Sequence, residues 1–133
     1  MDDRFNHEGY PDPTAYQGIK LAEKMNFRPV IYVCCAYASD PAGNTEKAKR
    51  YCRYAVDQGC IPICPILYLP LFMDDEKERE LALFMDLVLL TKCAEVWVFG
   101  SRITDGMAAE ISKAEKRNQK IRYFSGEEFA CTK

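Results

Sequence analysis

Two carboxylates in this chain have settings that could support chemistry. In "VFGSRITDGMAAEISKAEKRN", residues 98–118, a strand-like apolar run stops at Gly100 and a polar loop follows. A helix then begins at or near Asp105 and Gly106 and carries Glu110 about one turn in. A carboxylate there is either a solvated charge, paired with Lys113 three residues on, or a group directed at a ligand. Asp86 is the more anomalous of the two. Its nearest neighbours on a helical wheel are Ala82, Leu83, Leu89, Leu90 and Cys93, an apolar face. A carboxylate on such a face must find a partner or bear a desolvation cost that raises its pKa. It is either a structural group, held by a distant Arg or Lys or by loop N–H groups, or a catalytic acid/base.

Composition removes several other chemistries. The single histidine, His7, lies near the amino end, which leaves no Ser-His-Asp or Cys-His arrangement and little zinc hydrolase chemistry to consider. Seven cysteines, an odd number in a chain without a signal peptide, sit partly in apolar runs such as "VIYVCC" and "CIPIC". They read as reduced, core-packed thiols of a cytoplasmic protein, and no set of four completes a zinc site. Neither a metal nor a cofactor is implied. The net charge of −2 gives no basic surplus for nucleic acid. The longest apolar candidate, "ELALFMDLVLLTKCAEVWVFG", is broken by Asp86, Lys92 and Glu95, so no membrane span is expected.

The elements that must position these residues alternate. Residues 1–28 read as a polar, Pro/Gly-rich arm followed by a short helix, "TAYQGIKLAEKM", started by Asp12 and Pro13. "PVIYVCC" (29–35) is a buried strand, and "NTEKAKRYCRYAVDQG" (44–59) is a helix with Asn44 as a plausible cap. "CIPICP" (60–65) is a second strand and "ILYLPLFMDD" a turn-rich apolar loop. Residues 76–93 form a helix, "EVWVFG" (95–100) a strand, "DGMAAEISKAEKRN" a helix and "KIRYF" (120–124) a last strand. The order predicts a single α/β domain over residues 1–133, a three-layer doubly wound parallel sheet of the flavodoxin or Rossmann kind with four to five strands.

In such sheets ligands bind at the carboxyl ends of the strands, near the point where strand order reverses. The loops Ala36–Asn44, Leu67–Asp75 and Ser101–Gly106 project there, and the first and third lead into helix amino termini that favour an anion. Gly43 and Gly106 stand where a backbone could approach a phosphate or sugar closely, although no P-loop or GxGxxG is present. Tyr32 and Tyr37 bracket the end of the first strand; they are wall aromatics or groups that stack a base or hydrogen-bond a carboxylate. Ser101 and Arg102 could reach a phosphate. The candidate binding residues are Tyr32, Ala36, Tyr37, Asn44, Ser101, Arg102, Asp105, Gly106 and Met107. The loop "ILYLPLF" is core, a base-binding wall or a subunit contact.

Three pieces in order, "IYVCCAY" with the following Asn44, Ala48 and Tyr51, then "MDLVLLTKCAEVWVFG", then "DGMAAEISKA", resemble the nucleoside 2-deoxyribosyltransferase-like superfamily. The nearer likeness is to its small prokaryotic and phage-associated members labelled DUF4406-like. It covers residues 29 to 124. The resemblance implies that Tyr32 is an active-site aromatic, that Asp86 assists catalysis and that Glu110 is a nucleophile. The implied reaction is attack of Glu110 on the anomeric carbon of a nucleoside or nucleotide, giving a covalent glycosyl intermediate that passes to another base or to water. It also implies a homo-oligomer in which a neighbouring subunit closes the pocket. A module that binds a nucleotide, such as an ADP-ribose derivative, without turning it over is the alternative. The chain departs from the family at Ala94, where an Asp is common, and in the spacing of Asp105 from Glu110.

Overall fold

In a computed structural model, the described residues are 14, 15, 17–19 and 27–126. The arm at 1–13 and most of the short helix after it lie outside them; residues 14, 15 and 17–19 are helical. The elements are β1 (Val30–Cys34), α1 (Pro41–Asp57), β2 (Ile61–Ile63), α2 (Arg79–Thr91), β3 (Glu95–Phe99), α3 (Asp105–Lys116) and β4 (Lys120–Phe124), with two single-turn 3-10 helices, Pro65–Leu67 and Leu69–Leu71, between β2 and α2. The sheet order is β2-β1-β3-β4 and every neighbouring pair is parallel. The chain is therefore an α/β protein with a doubly wound parallel sheet, as its alternating pattern predicts.

Both central strands are buried on two faces, which is why "VIYVC" and "VWVF" are continuous apolar runs rather than alternating ones. One face stacks Ile31, Val33, Trp97 and Phe99 against Ala48, Tyr51 and Ala55 of α1. The other stacks Tyr32, Cys34, Val96 and Val98 against Leu90 of α2 and Met107 and Ala114 of α3. β2 is a three-residue edge strand centred on Pro62, a position where the missing N–H can face away from the sheet. Gln119, in the turn before β4, donates from Nε2 to the carbonyls of Leu90 (3.0 Å) and Cys93 (2.8 Å), fastening the carboxyl end of α2 to that turn.

The chain runs from β1 to one edge of the sheet and then crosses back to β3 on the other side. Strand order thus reverses between β1 and β3, and the crevice at their carboxyl ends is bounded by the β1–α1 and β3–α3 loops. Each loop is fixed by its own cap. In the first, Asp40 caps α1 by accepting from the Gly43 N–H, and Pro41 occupies the first turn. The expectation that Asn44 caps this helix is corrected, because α1 starts three residues earlier. Asn44 instead lies buried in the first turn and its Nδ2 reaches back to the Tyr37 carbonyl (3.0 Å) and Ser39 Oγ (3.2 Å). In the second loop, Thr104 caps α3 by accepting from the Met107 N–H at 3.2 Å. Asp105 in the first turn and Lys113 and Lys116 in the last complement the helix dipole.

Candidate active site

Tyr32 and Glu110 stand 78 positions apart in sequence and meet on the sheet face covered by α2 and α3. Alternation along β1 directs Tyr32 to that face. The α3 stripe that buries Met107 and Ala114 also buries Glu110, at 7% exposure. The Tyr32 hydroxyl donates to Glu110 Oε2 at 2.6 Å, a short charge-assisted bond. Glu110 is thus no surface charge, and its described partner is Tyr32 rather than Lys113.

Burial pushes the Glu110 carboxyl up to about 7, while hydrogen bonds from Tyr32 and the Cys34 thiol pull in the other direction. Asp86, half-buried on α2, is pushed up to about 7 as well, first by desolvation and then by the charge of Glu110. Its Oδ1 is buried with no hydrogen-bond partner among the described residues. Among the described residues, no Arg, Lys or loop N–H meets that oxygen. Burial and the two carboxylates raise the Tyr32 phenol and the Cys34 thiol well above their ordinary values. Tyr68, in the loop before α2, is raised by burial and by Asp86. Both carboxyls are thus raised towards neutrality, Glu110 by burial and Asp86 by burial and the charge of Glu110. A nucleophile beside a general acid needs one carboxyl ionised and the other protonated.

Two cavities open at the strand ends. The larger, about 360 Å³, is lined on the α1 side by Asn44, Lys47, Arg50 and Tyr51, with Cys35, Ala36, Ser39, Phe99, Gly100, Ser101, Arg102, Ser125 and Gly126. The smaller, about 300 Å³, is lined by Ala36, Ser39, Arg102, Ile103, Thr104 and Asp105. Of the residues expected to bind substrate, Ala36, Asn44, Ser101, Arg102 and Asp105 line one or both cavities. Tyr32 belongs to the carboxylate cluster. Tyr37 is half-buried in the loop, its carbonyl accepting from Asp40 N and Asn44 Nδ2, and lines neither cavity. Met107 is 2% exposed and packs in the core, its carbonyl 3.9 Å from Cys34 Sγ. Gly106 is exposed with open space around its Cα, as a close approach requires, whereas a Cβ at Gly43 would run into the Asp40 carboxylate. Gly43 serves the helix cap.

Cys34, Tyr68, Ser39, Lys47 and Arg50 are not among the residues expected from sequence. Cys34 was findable, since it stands two positions after Tyr32 and shares its face. Lys47 stands three residues after Asn44 and Arg50 three further on, flanking the buried stripe of α1. Among the described residues, no group of three or more His, Cys, Asp or Glu side chains could hold a metal ion, and all six described cysteines are free. No helix among them is long and apolar enough to cross a membrane.

Fold and site together define a doubly wound α/β protein with a buried pair, Tyr32 and Glu110, and a half-buried Asp86 within its electrostatic reach, beside the point where strand order reverses. The chain belongs to the family described as "Domain of unknown function (DUF7768)", which matches residues 29–124. No curated protein matches it.

Proposed function

We infer that the protein cleaves or transfers the N-glycosidic bond of a nucleoside or nucleotide, in the manner of nucleoside 2-deoxyribosyltransferases. The observation that carries this reading is the pair of raised carboxyls, Glu110 and Asp86, with Tyr32 donating to Glu110 at 2.6 Å. Ionised Glu110 attacks the anomeric carbon, forming a C–O ester bond as the bond from that carbon to the base nitrogen breaks. Protonated Asp86 delivers its proton to the departing base. Water or a second base then attacks the same carbon and loses its proton to Asp86, and the Glu110 carboxylate leaves. The phenol of Tyr32 orients Glu110 and tempers its basicity.

The reading includes a small-molecule nucleoside, nucleotide or ADP-ribose-like ligand, and a homo-oligomer. Leu81, Phe84 and Val88 form one exposed apolar stripe on the outer face of α2, and Leu71 and Phe72 before it are exposed at 81% and 68%. Such a surface on the helix that bears Asp86 suits a second copy closing over the site.

One observation favours a second reading. Glu110 and Asp86 line neither of the two cavities described above, and Tyr32 already occupies a Glu110 oxygen. A module that binds a nucleotide without turning it over would need only the cavities. Incubation with deoxynucleosides, deoxynucleotides and NAD-derived nucleotides, followed by chromatography for free base, separates the two. Base release abolished by Glu110→Ala is expected. Tight binding with the ligand recovered intact would replace the enzyme with the binding module.

A further inference from the structure

The larger cavity and the carboxylate pair lie on opposite faces of the sheet. The wall shared with α1 contains Tyr51 and Phe99, whose rings stack at 4.4 Å with 10° between their planes, and both belong to the core on that face. Tyr32 and Glu110 belong to the other face. Among the described residues the lining carries three cationic side chains from two elements, Lys47 and Arg50 of α1 and Arg102 of the β3–α3 loop, and no Asp or Glu, with Arg50 already engaged by a partner of its own. In a chain whose net charge is −2, that is a local concentration of positive charge in a concave site. Neither Lys47 nor Arg102 makes an ion pair among the described residues.

The neutral lining suits the same class of ligand. Ser39 Oγ accepts from Asn44 Nδ2 at 3.2 Å, which leaves its O–H to donate elsewhere, and Ser101 adds a further hydroxyl. Gly100 and Gly126 both hold positive φ, 108° and 91°. A Cβ on Gly126 would meet the Gly100 Cα at 3.1 Å and the Tyr51 hydroxyl at 3.3 Å, so the ends of β3 and β4 come together there as bare backbone. The amino end of α1 is not part of this lure, because Asp40 already caps it. The charge comes from side chains. The smaller cavity adjoins through Ala36, Ser39 and Arg102, which line both. Each has the size of a compartment for part of a nucleotide rather than for a lone ion.

We propose that the larger cavity is an anion site that holds the phosphate or diphosphate of a nucleotide, gripped by Lys47 and Arg102, with the rest of the ligand passing Ser39 into the smaller cavity. This rests on and deepens the nucleotide-directed reading in its binding-module form, by assigning the phosphate its own compartment across the sheet from the carboxylates, which line neither cavity.

The test is isothermal titration of the full chain with AMP, ADP, adenosine and inorganic phosphate. Lys47 and Arg102 are exposed, so Lys47→Ala and Arg102→Ala should fold normally. Lys49→Ala, an exposed residue of the same helix paired with Glu46 and outside the lining, is the control. The expected result is that ADP and AMP bind more tightly than adenosine. Each cavity variant should weaken ADP binding by about tenfold, as for loss of one charge-assisted contact, and Lys47→Glu by more. The control should not change it, and inorganic phosphate should bind weakly and compete. Binding of ADP no tighter than adenosine, or equal in wild type and both variants, would overturn the proposal, as would inorganic phosphate binding as tightly as ADP. Failure here is distinguishable from failure of the glycosidase reading. Anion binding without base release leaves the cavity assigned and removes the enzyme. Base release from nucleotides with unchanged KM in Lys47→Ala and Arg102→Ala does the reverse.

Discussion

At the scale of single residues, the account turns on two carboxyls held near neutrality by burial. Glu110 must be ionised to attack and Asp86 protonated to deliver a proton, and both are pushed up to about 7. The pH dependence of kcat/KM should therefore be a bell centred near pH 7, rising as Glu110 ionises and falling as Asp86 loses its proton. Tyr32→Phe removes a hydrogen bond that lowers the Glu110 value, so the rising limb should move to higher pH and activity at neutrality fall roughly ten- to a hundredfold. A rising limb unmoved in Tyr32→Phe would separate the phenol from the reaction. The same shifts govern stability. A carboxyl raised in the folded state favours folding at low pH, and this is lost as pH rises from the ordinary carboxylate range through 7. Glu110→Gln should thus be more stable than wild type at about pH 8, by on the order of 2–3 kcal/mol, and show little gain at about pH 5, measured by urea unfolding. Asp86 was visible in sequence as a charge on an apolar face. The burial of Glu110 was not, because it depends on how far α3 is rotated over the sheet.

At the scale of elements, the strands were more legible than the ends of the helices. β1 and β3 announce themselves as apolar, β-branched runs, since both of their faces are covered. The start of α1 was misplaced by three residues because Asn44 competed with Asp40 for the cap. The Asp-Pro pair at Asp40 and Pro41 is the same start signal read at Asp12 and Pro13, and it decides the matter. Asn44 gains a different task, holding the β1–α1 loop through Tyr37 and Ser39. Asn44→Ala should cost about 1–3 kcal/mol in chemical denaturation, because it removes a buried donor from two acceptors. It should also weaken ligand binding through loss of the Ser39 orientation. An unchanged unfolding midpoint would reduce Asn44 to a bystander.

For the whole molecule, strand order places the crevice, and the alternating pattern already predicted a doubly wound parallel sheet with its site at the strand ends, so the neighbourhood of the site was readable before its contents. The cations of the larger cavity were not, since Lys47 and Arg50 look like ordinary charges on an amphipathic helix until its register against β1 and β3 is known. The apolar stripe of α2 leads to a prediction at this scale. If a second copy covers it, the protein should run as an oligomer by size-exclusion chromatography with light scattering, and Phe84→Glu should shift it towards monomer. A wild-type mass of one chain would refute that. The central claim is tested most directly by quenching the protein in acid while it reacts with a deoxynucleotide it cleaves and mapping the adduct by peptide mass spectrometry. The account predicts a glycosyl ester on the peptide containing Glu110, absent from Glu110→Ala together with base release. An adduct on another residue, or base release undiminished in Glu110→Ala, would contradict it.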